Sequence, residues 1–189
     1  MNRQQLAHIL RASCDIVGDK NILVIGSQSL LGAYDEDDLP PEATASIEAD
    51  IVFLDDLDRR KADAVEGAIG EFSSFQATNG IYAEGVHIET AILPEGWRAR
   101  LIGWPISSSD TADPRFLEPH DLAGSKLAAG RDKDKAFVSA LIEHGLLDVR
   151  TLIERNELLS DDRRAHRERT RAFLARYDVA PADSGQPQR

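Results

Sequence analysis

The segment that decides the fold contains two apolar stretches, Ile22-Leu23-Val24-Ile25-Gly26-Ser27 and Ser46-Ile47-Glu48-Ala49-Asp50-Ile51-Val52-Phe53. The first stretch predicts a strand that ends at a glycine and is followed by a short helix. The second is rich in β-branched residues and predicts a strand over about 47–54. Glu48 and Asp50 are two residues apart, so on a strand both carboxylates project from one face, roughly 7 Å apart at their Cα atoms.

Two carboxylates held this close favour a cation between them. Without a cation, their mutual repulsion would raise the pKa of one of them. A divalent metal ion removes that repulsion by binding oxygen atoms of both groups. The spacing of Glu48 and Asp50 therefore predicts a metal site on this strand.

A third carboxylate is available at Glu89, in the segment Val86–Leu93. The segment alternates in polarity, which predicts a strand with His87, Glu89 and Ala91 on one side. On a neighbouring strand Glu89 could reach the same metal ion as Glu48 and Asp50. The alternative is that Glu89 is an exposed charge on a half-buried sheet.

The glycine that ends the first strand is a candidate phosphate contact. A glycine lets the backbone approach a phosphate closely, and the start of a following helix offers unpaired amide groups. The Ser27 hydroxyl could donate a hydrogen bond to the same phosphates. A strand that ends in glycine before a helix is also common without any phosphate site, and the chain has neither a GxGxxG fingerprint nor a GxxxxGK[ST] loop.

The rest of the chain predicts an α+β fold, with a mixed sheet in the first half and helices in the second. Predicted helices cover 6–17, 59–72, 121–129, 133–143, 149–155 and 161–177, with Asp121 as the cap of the third. Further strands are predicted over 81–83, 86–93 and 98–102, and exposed loops over 35–45 and 107–114. The expected organisation is an α/β core over 1–115, a helical subdomain over 116–179 and a disordered tail over 180–189.

Composition narrows the class of protein. The 189 residues are 42% hydrophobic, which can supply a core. The apolar runs are too short to cross a bilayer, and the start of the chain does not resemble a signal peptide, so a cytoplasmic protein without a membrane partner is expected. Cys14 is the single cysteine, which excludes an internal disulfide and a cysteine-rich zinc site.

The net charge of −11 argues against a protein that coats nucleic acid. Six arginines nevertheless gather in the last predicted helix, and three of them fall near one side of it: Arg164, Arg167 and Arg171. They are either a solvated helix surface, partly offset by nearby acidic residues, or a local contact for RNA.

Taken together, three motifs resemble the DUF6036 and AbiEii-like branch of the nucleotidyltransferase superfamily. They are Gly26-Ser27, Ser46-x-Glu48-x-Asp50, and the stretch from Leu117 to Asp134. The resemblance covers roughly residues 20 to 150. It implies a polymerase-β-like nucleotidyltransferase core in which a mixed sheet carries the acids and a helical part closes a nucleotide cleft.

The resemblance also implies roles for particular residues. Gly26 and Ser27 would meet the phosphates, Glu48 and Asp50 would bind the metal ions, and Lys126 would bind the triphosphate. Arg131, Lys133 and Asp134 are similar to a family signature in which the acid orients a basic residue or takes part in catalysis. Fixed cations such as Lys126 and Arg131 suit this chemistry, because nucleotidyl transfer builds negative charge on the phosphates. The family has aspartate at both strand positions, whereas position 48 here is glutamate.

Two functions follow as hypotheses. In the first, the chain uses Mg²⁺ or Mn²⁺ to transfer a nucleoside monophosphate from an NTP to a hydroxyl of RNA, such as tRNA, or of protein. By resemblance it would be the toxin of a toxin–antitoxin pair, with a cognate antitoxin as partner. In the second, it is a catalytically weak domain that binds nucleotide or a partner protein. A Glu89 that joins Glu48 and Asp50 would favour the first, and one that points away would favour the second.

Overall fold

A mixed five-stranded sheet lies at the centre of the chain in a computed structural model that describes residues 1–104 and 112–177. The strands are β1 (Asn21–Val24), β2 (Glu48–Val52), β3 (Tyr82–Gly85), β4 (Ile102–Gly103) and β5 (Asp113–Phe116), in the order β3-β2-β1-β5-β4. β1 runs antiparallel to β2 and parallel to β5, β2 runs parallel to β3, and β4 runs antiparallel to β5. The strand that carries Glu48 and Asp50 therefore has a neighbour on each side.

Eight α-helices surround the sheet within the described residues. They are α1 (Arg3–Val17), α2 (Pro41–Thr44), α3 (Arg60–Ile69), α4 (Ser74–Asn79), α5 (Pro119–Ala129), α6 (Asp132–Glu143), α7 (Val149–Glu157) and α8 (Arg164–Leu174). The α+β architecture with a helical second half is confirmed. Across the same residues no helix is long and apolar enough to span a bilayer.

Local sequence explains the ends of α1. The Asn2 side chain accepts a hydrogen bond from the Gln5 backbone amide, and the Gln5 side chain accepts one from the Asn2 amide, so two unpaired donors are satisfied together. Gly18 ends the helix with φ of 68°, a left-handed conformation that glycine adopts without steric cost. The predicted opening helix is confirmed.

One hydrophobic core joins the sheet to helices from both halves of the chain. It contains Leu6 and Leu10 of α1, Ile51 of β2, and Leu122 and Leu141 of the C-terminal helices, all almost fully buried. The helical half therefore packs directly on the sheet that carries the acids. The division into units at residue 115 stays a prediction, and the tail over 180–189 lies outside the described residues.

Several predicted elements were wrong. The segment 35–45 is not an exposed loop, because it forms α2 and buries Leu39 and Ala43. The predicted strand 98–102 is mostly a 3-10 turn over Trp97–Arg100, and Asp113–Phe116, at the end of a predicted loop, is strand β5. Residues 105–111 of that loop lie outside the described part of the chain.

The helix α5 is capped by Glu118 instead of Asp121. The Glu118 carboxylate accepts hydrogen bonds from the backbone amides of His120 and Asp121. Asp121 is 1% exposed in its side chain, and both of its oxygens accept from the Arg100 guanidinium at 2.8 and 3.1 Å. Arg155 of α7 lies 3.8 Å away. Asp121 thus ties the segment after β3 to the helical half.

Replacing Asp121 with alanine should destabilise the protein strongly, because it leaves the Arg100 guanidinium without its carboxylate in a mostly buried position. The expected loss in the free energy of unfolding is about 3–5 kcal/mol, measured by urea denaturation. Asp132→Ala is the control, since Asp132 is fully exposed and pairs with Lys135 on the surface. Its effect on the free energy of unfolding should be much smaller, because solvent screens exposed ion pairs. Equal losses in the two variants would contradict this account of Asp121.

Candidate active site

Three carboxylates meet on one face of the sheet. Glu48 and Asp50 project from β2, and the parallel register of β2 and β3 sets Glu84 opposite Asp50. One oxygen atom of each of the three lies within 4.8 Å of the others. The predicted pairing of Glu48 with Asp50 is therefore joined by a third acid from the adjacent strand, as expected, but the acid is Glu84.

Glu89 lies elsewhere. The strand predicted over 86–93 is wrong, because β3 ends at Gly85 and the chain turns into a 3-10 helix over Ile88–Thr90. Within that turn His87 accepts hydrogen bonds from the backbone amides of Glu89 and Thr90. The Glu89 side chain is 86% exposed and lies 3.6 Å from the His87 ring, outside the carboxylate group of the described residues.

Tyr82 holds Glu48 in place. The two residues are opposite each other across β2 and β3, and the Tyr82 hydroxyl donates a 2.9 Å hydrogen bond to Glu48 Oε2. This bond fixes one oxygen of the longer glutamate arm at a position where the family resemblance implies aspartate. Glu48 also offers a carboxylate oxygen to the group that it forms with Asp50 and Glu84.

The position of Gly26 after a strand suggests a close approach of the backbone to a phosphate, but the structure shows a different steric reason for a glycine here. Its backbone is extended, with φ of −83°, so no left-handed conformation is involved. A Cβ atom at this position would lie 1.5 Å from Asp50 Oδ2. Gly26 therefore makes room for the Asp50 carboxylate. Ser27 opens a 3-10 helix over Ser27–Gly32, and the phosphate contacts of Gly26 and Ser27 stay predictions.

A cationic group faces these acids from the helical half. Asp134, in the first turn of α6, is 2% exposed and accepts from the Arg131 guanidinium with both oxygens, at 2.6 and 3.2 Å. Lys126 Nζ lies 3.7 Å from the same carboxylate and 5.0 Å from the centre of the Phe137 ring. Asp134 therefore holds both cations, which fits an orienting acid better than a proton-transfer group.

The acids and the cations line one cleft of about 780 Å³. Its sheet side includes Ile25, Gly26, Ser27 and the three carboxylates, and its helix side includes Leu122, Ser125, Lys126, Arg131, Lys133, Asp134 and Phe137. The volume lies within the range of pockets that bind small molecules. The cleft is lined by both charged and apolar side chains. Such a lining suits a ligand that has an anionic part and an apolar ring.

Burial makes the negative charge in the cleft costly. Burial and repulsion from Glu48 raise the pKa of Asp50 to about 6, although Lys126 opposes the change. Burial and the Glu48 carboxylate also raise the pKa of Glu84 to about 7. Burial lowers the pKa of Lys126, opposed by Asp134 and Asp50. The negative charge of the ionised carboxylates therefore exceeds the positive charge of Lys126 and Arg131, and an additional positive charge would stabilise the site.

The raised pKa values predict a pH-dependent stability without added metal. The folded state favours neutral Asp50, so this contribution is present at low pH and is lost as pH rises through about 6. For Asp50 alone the free energy of unfolding should fall by about 1 kcal/mol between about pH 5 and about pH 8. Urea denaturation at several pH values across that range measures this change. Asp50→Asn should reduce the dependence of the free energy of unfolding on pH, whereas the control Asp132→Asn should leave it unchanged. The same pH dependence in the native protein and in Asp50→Asn would contradict the prediction.

Glu84 was missed because its neighbour was interpreted as a turn. Glu84-Gly85 separates the two strands that the sequence predicts over 81–83 and 86–93, although Ile81, Ala83 and Gly85 are buried and alternate with Tyr82 and Glu84. A Cβ atom on Gly85 would lie 2.1 Å from the Ala62 carbonyl oxygen of α3, so this glycine allows close packing within a strand. That alternation after the Asn79-Gly80 turn was the available signal for β3.

Comparisons with known proteins identify the family of the chain. No curated protein and no solved structure is significantly similar to the chain. A family model described as "Nucleotidyltransferase of unknown function (DUF6036)" matches residues 4–179. The match includes every residue that lines the cleft, and the chain therefore belongs to the DUF6036 family of nucleotidyltransferases.

Proposed function

We propose that the chain is a nucleotidyltransferase dependent on Mg²⁺ or Mn²⁺, which moves a nucleoside monophosphate from an NTP to a hydroxyl of RNA or protein. The observation that carries this proposal is the cleft itself, where three carboxylates face Lys126 and Arg131. The family match supports the general class of reaction. The acceptor, the metal ion and the roles of single residues are the proposed part.

The carboxylate group fits a small divalent cation. Its donors are all oxygen atoms within 4.8 Å of one another, and burial and mutual repulsion raise the pKa values of two of the three acids, Asp50 and Glu84. Oxygen donors are the ligands that Mg²⁺ and Mn²⁺ prefer. Glu48, Asp50 and Glu84 would hold the ion. When bound, it would neutralise phosphate charge and make an acceptor hydroxyl easier to deprotonate.

The cations have the complementary task. Negative charge grows on the leaving pyrophosphate during transfer, and Lys126 and Arg131 face the position where the phosphates would lie. Both side chains are held by the buried Asp134 carboxylate, so they need little rearrangement when the nucleotide binds. Asp134 therefore acts as a positioning residue in this proposal. Ser27 lines the same cleft and could donate to a phosphate oxygen.

The alternative is a domain that binds nucleotide without transferring it. The exposed position of Glu89 favours this alternative by the criterion stated from the sequence. The criterion depended on whether a third carboxylate joins Glu48 and Asp50. Glu84 supplies that carboxylate from the strand beside β2, so the position of Glu89 no longer favours the alternative. The toxin role, the cognate antitoxin and the cytoplasmic location stay predictions from the sequence.

The transfer reaction can be tested with each of the four NTPs labelled at the α-phosphate, with Mg²⁺ or Mn²⁺, and with total RNA and protein as acceptors. We expect label from the native chain to reach one acceptor class. Asp50→Asn should lower incorporation by about 100-fold or more, since the buried carboxylate is in the centre of the group. Glu84→Gln should have a similar effect and Glu89→Gln little. A native chain that binds NTP but incorporates no label would instead support the binding domain.

Metal binding gives a readout that is independent of turnover. Calorimetric titration with Mn²⁺ should show that Glu84→Gln weakens affinity by about 10-fold or more, and that Tyr82→Phe weakens it by about 10-fold through Glu48. Glu89→Gln is the matched control and should bind Mn²⁺ like the native chain. The assignment of the third ligand to Glu84 is wrong if Glu89→Gln loses affinity and Glu84→Gln keeps it.

A further inference from the structure

The net negative charge of the chain comes from one half of it. Residues 1–115 contain 20 acidic and 9 basic side chains, whereas residues 116–177 contain 11 acidic and 12 basic ones. The overall charge of −11 therefore describes the half that contains most of the sheet. An anionic macromolecule would meet repulsion there and much less at the C-terminal helices.

The arginines of the last helix form two groups. Arg164, Arg167 and Arg171, which the sequence places near one side, each pair with a carboxylate. The pairs are Arg164 with Glu168 at 2.9 Å, Arg167 with Asp161 at 3.1 Å, and Arg171 with Glu157 at 2.5 Å. This side is a solvated surface whose charges are largely neutralised.

The second group is Arg169 and Arg176, which pair with no carboxylate of the described residues. Arg169 donates to the Ala128 carbonyl oxygen at the end of α5, at 3.3 Å. Arg176 lies just past α8, 3.5 Å from Ser139 Oγ of α6, with its guanidinium 3.8 Å from the centre of the Phe173 ring. Both side chains are thus held against α5 and α6, and within residues 1–104 and 112–177 neither guanidinium forms an ion pair with a carboxylate.

These two arginines contact α5 and α6, the helices that also carry the cleft cations Lys126 and Lys133. Arg131, between α5 and α6, and Lys133, in the first turn of α6, line the cleft. Lys133 is exposed without a carboxylate partner among residues 1–104 and 112–177. Ala128, which Arg169 contacts, precedes the cleft residue Ala129. We call Lys133, Arg169 and Arg176 the basic track. Its three side chains belong to or contact the helices α5 and α6, which form the helix side of the cleft.

We propose that the basic track guides an RNA strand to the cleft, so that the acceptor hydroxyl belongs to RNA; this inference rests on the proposed transferase function. Guanidinium groups held in fixed positions suit phosphate oxygens, because their planar donors can bind two oxygens at once. Several separate cations without partners suit a chain of phosphates better than a single anionic side chain. The stacking of Arg176 on Phe173 fixes one of these positions.

The proposed reaction is balanced without any further reagent. An RNA hydroxyl oxygen bonds to the α-phosphorus of the NTP, and the bond from that phosphorus to the oxygen bridging to the β-phosphorus breaks. Pyrophosphate leaves with the electron pair of that bond, and the hydroxyl proton passes to solvent. The product is RNA that carries one added nucleotide.

The test measures binding of a fluorescein-labelled single-stranded RNA by fluorescence anisotropy at several salt concentrations. The variant is Arg169→Gln with Arg176→Gln, and the matched control is Arg164→Gln with Arg171→Gln, which removes the same charge from paired arginines. Lys133 is kept because it lines the cleft. We expect the track variant to weaken binding by about 10-fold or more and to lower the salt slope by about two, and the control to change affinity less than about 2-fold.

Two outcomes overturn the proposal. The first is that the native chain does not bind the RNA, whether or not it binds an acidic peptide instead. The second is that the two double variants weaken RNA binding equally. Thermal melting of each variant verifies that it is folded. A failure of transfer by the native chain with intact, track-dependent RNA binding would count against the transferase alone. Transfer to protein without RNA binding would count against the track alone.

Discussion

The repulsion among three carboxylates on one sheet face is the constraint on which the rest of the site depends. Glu48, Asp50 and Glu84 cannot all be charged at low cost in a partly buried position, and the raised pKa of Asp50 reflects this. The sheet enforces the arrangement, because the parallel register of β2 and β3 sets Asp50 opposite Glu84. Since Ala49, Ile51 and Ala83 of these strands are packed into the core, the backbone positions that carry the three acids cannot move apart without disrupting it.

The helical half supplies part of the compensation. Lys126 and Arg131 face the acids across the cleft, but the buried Asp134 carboxylate already binds both. Asp134 therefore fixes where the cations lie and at the same time reduces the charge that they offer to the sheet. This is typical of a site in which geometry is maintained at the expense of electrostatic stability. The remaining imbalance is what a metal ion, or protonation of the acids, would remove.

The sequence predicted those parts of the site that lie in locally regular segments. Alternation along β2 was enough to place Glu48 and Asp50 on one face, and the helix around Lys126 was predicted. Glu84 was not predicted, because pairing of β3 with β2 brings together residues far apart in sequence and the four-residue strand ends in a glycine that resembles a turn. The steric role of Gly26 could not be predicted either, since it depends on a carboxylate from another strand.

The charges that line the cleft lead to a last inference about how a nucleotide can bind. The lining residues include five carboxylates, Glu42, Glu48, Asp50, Glu84 and Asp134, but only three cations, Lys126, Arg131 and Lys133. A nucleoside triphosphate is itself strongly anionic, so its binding here would be opposed unless positive charge enters with it. Either divalent cations or protons must accompany it. Protonation removes charge only from acids with raised pKa values and is lost toward neutral pH, whereas a cation held by hard oxygen atoms remains effective there. The cleft is therefore suited to a nucleotide that arrives together with its metal ion rather than alone.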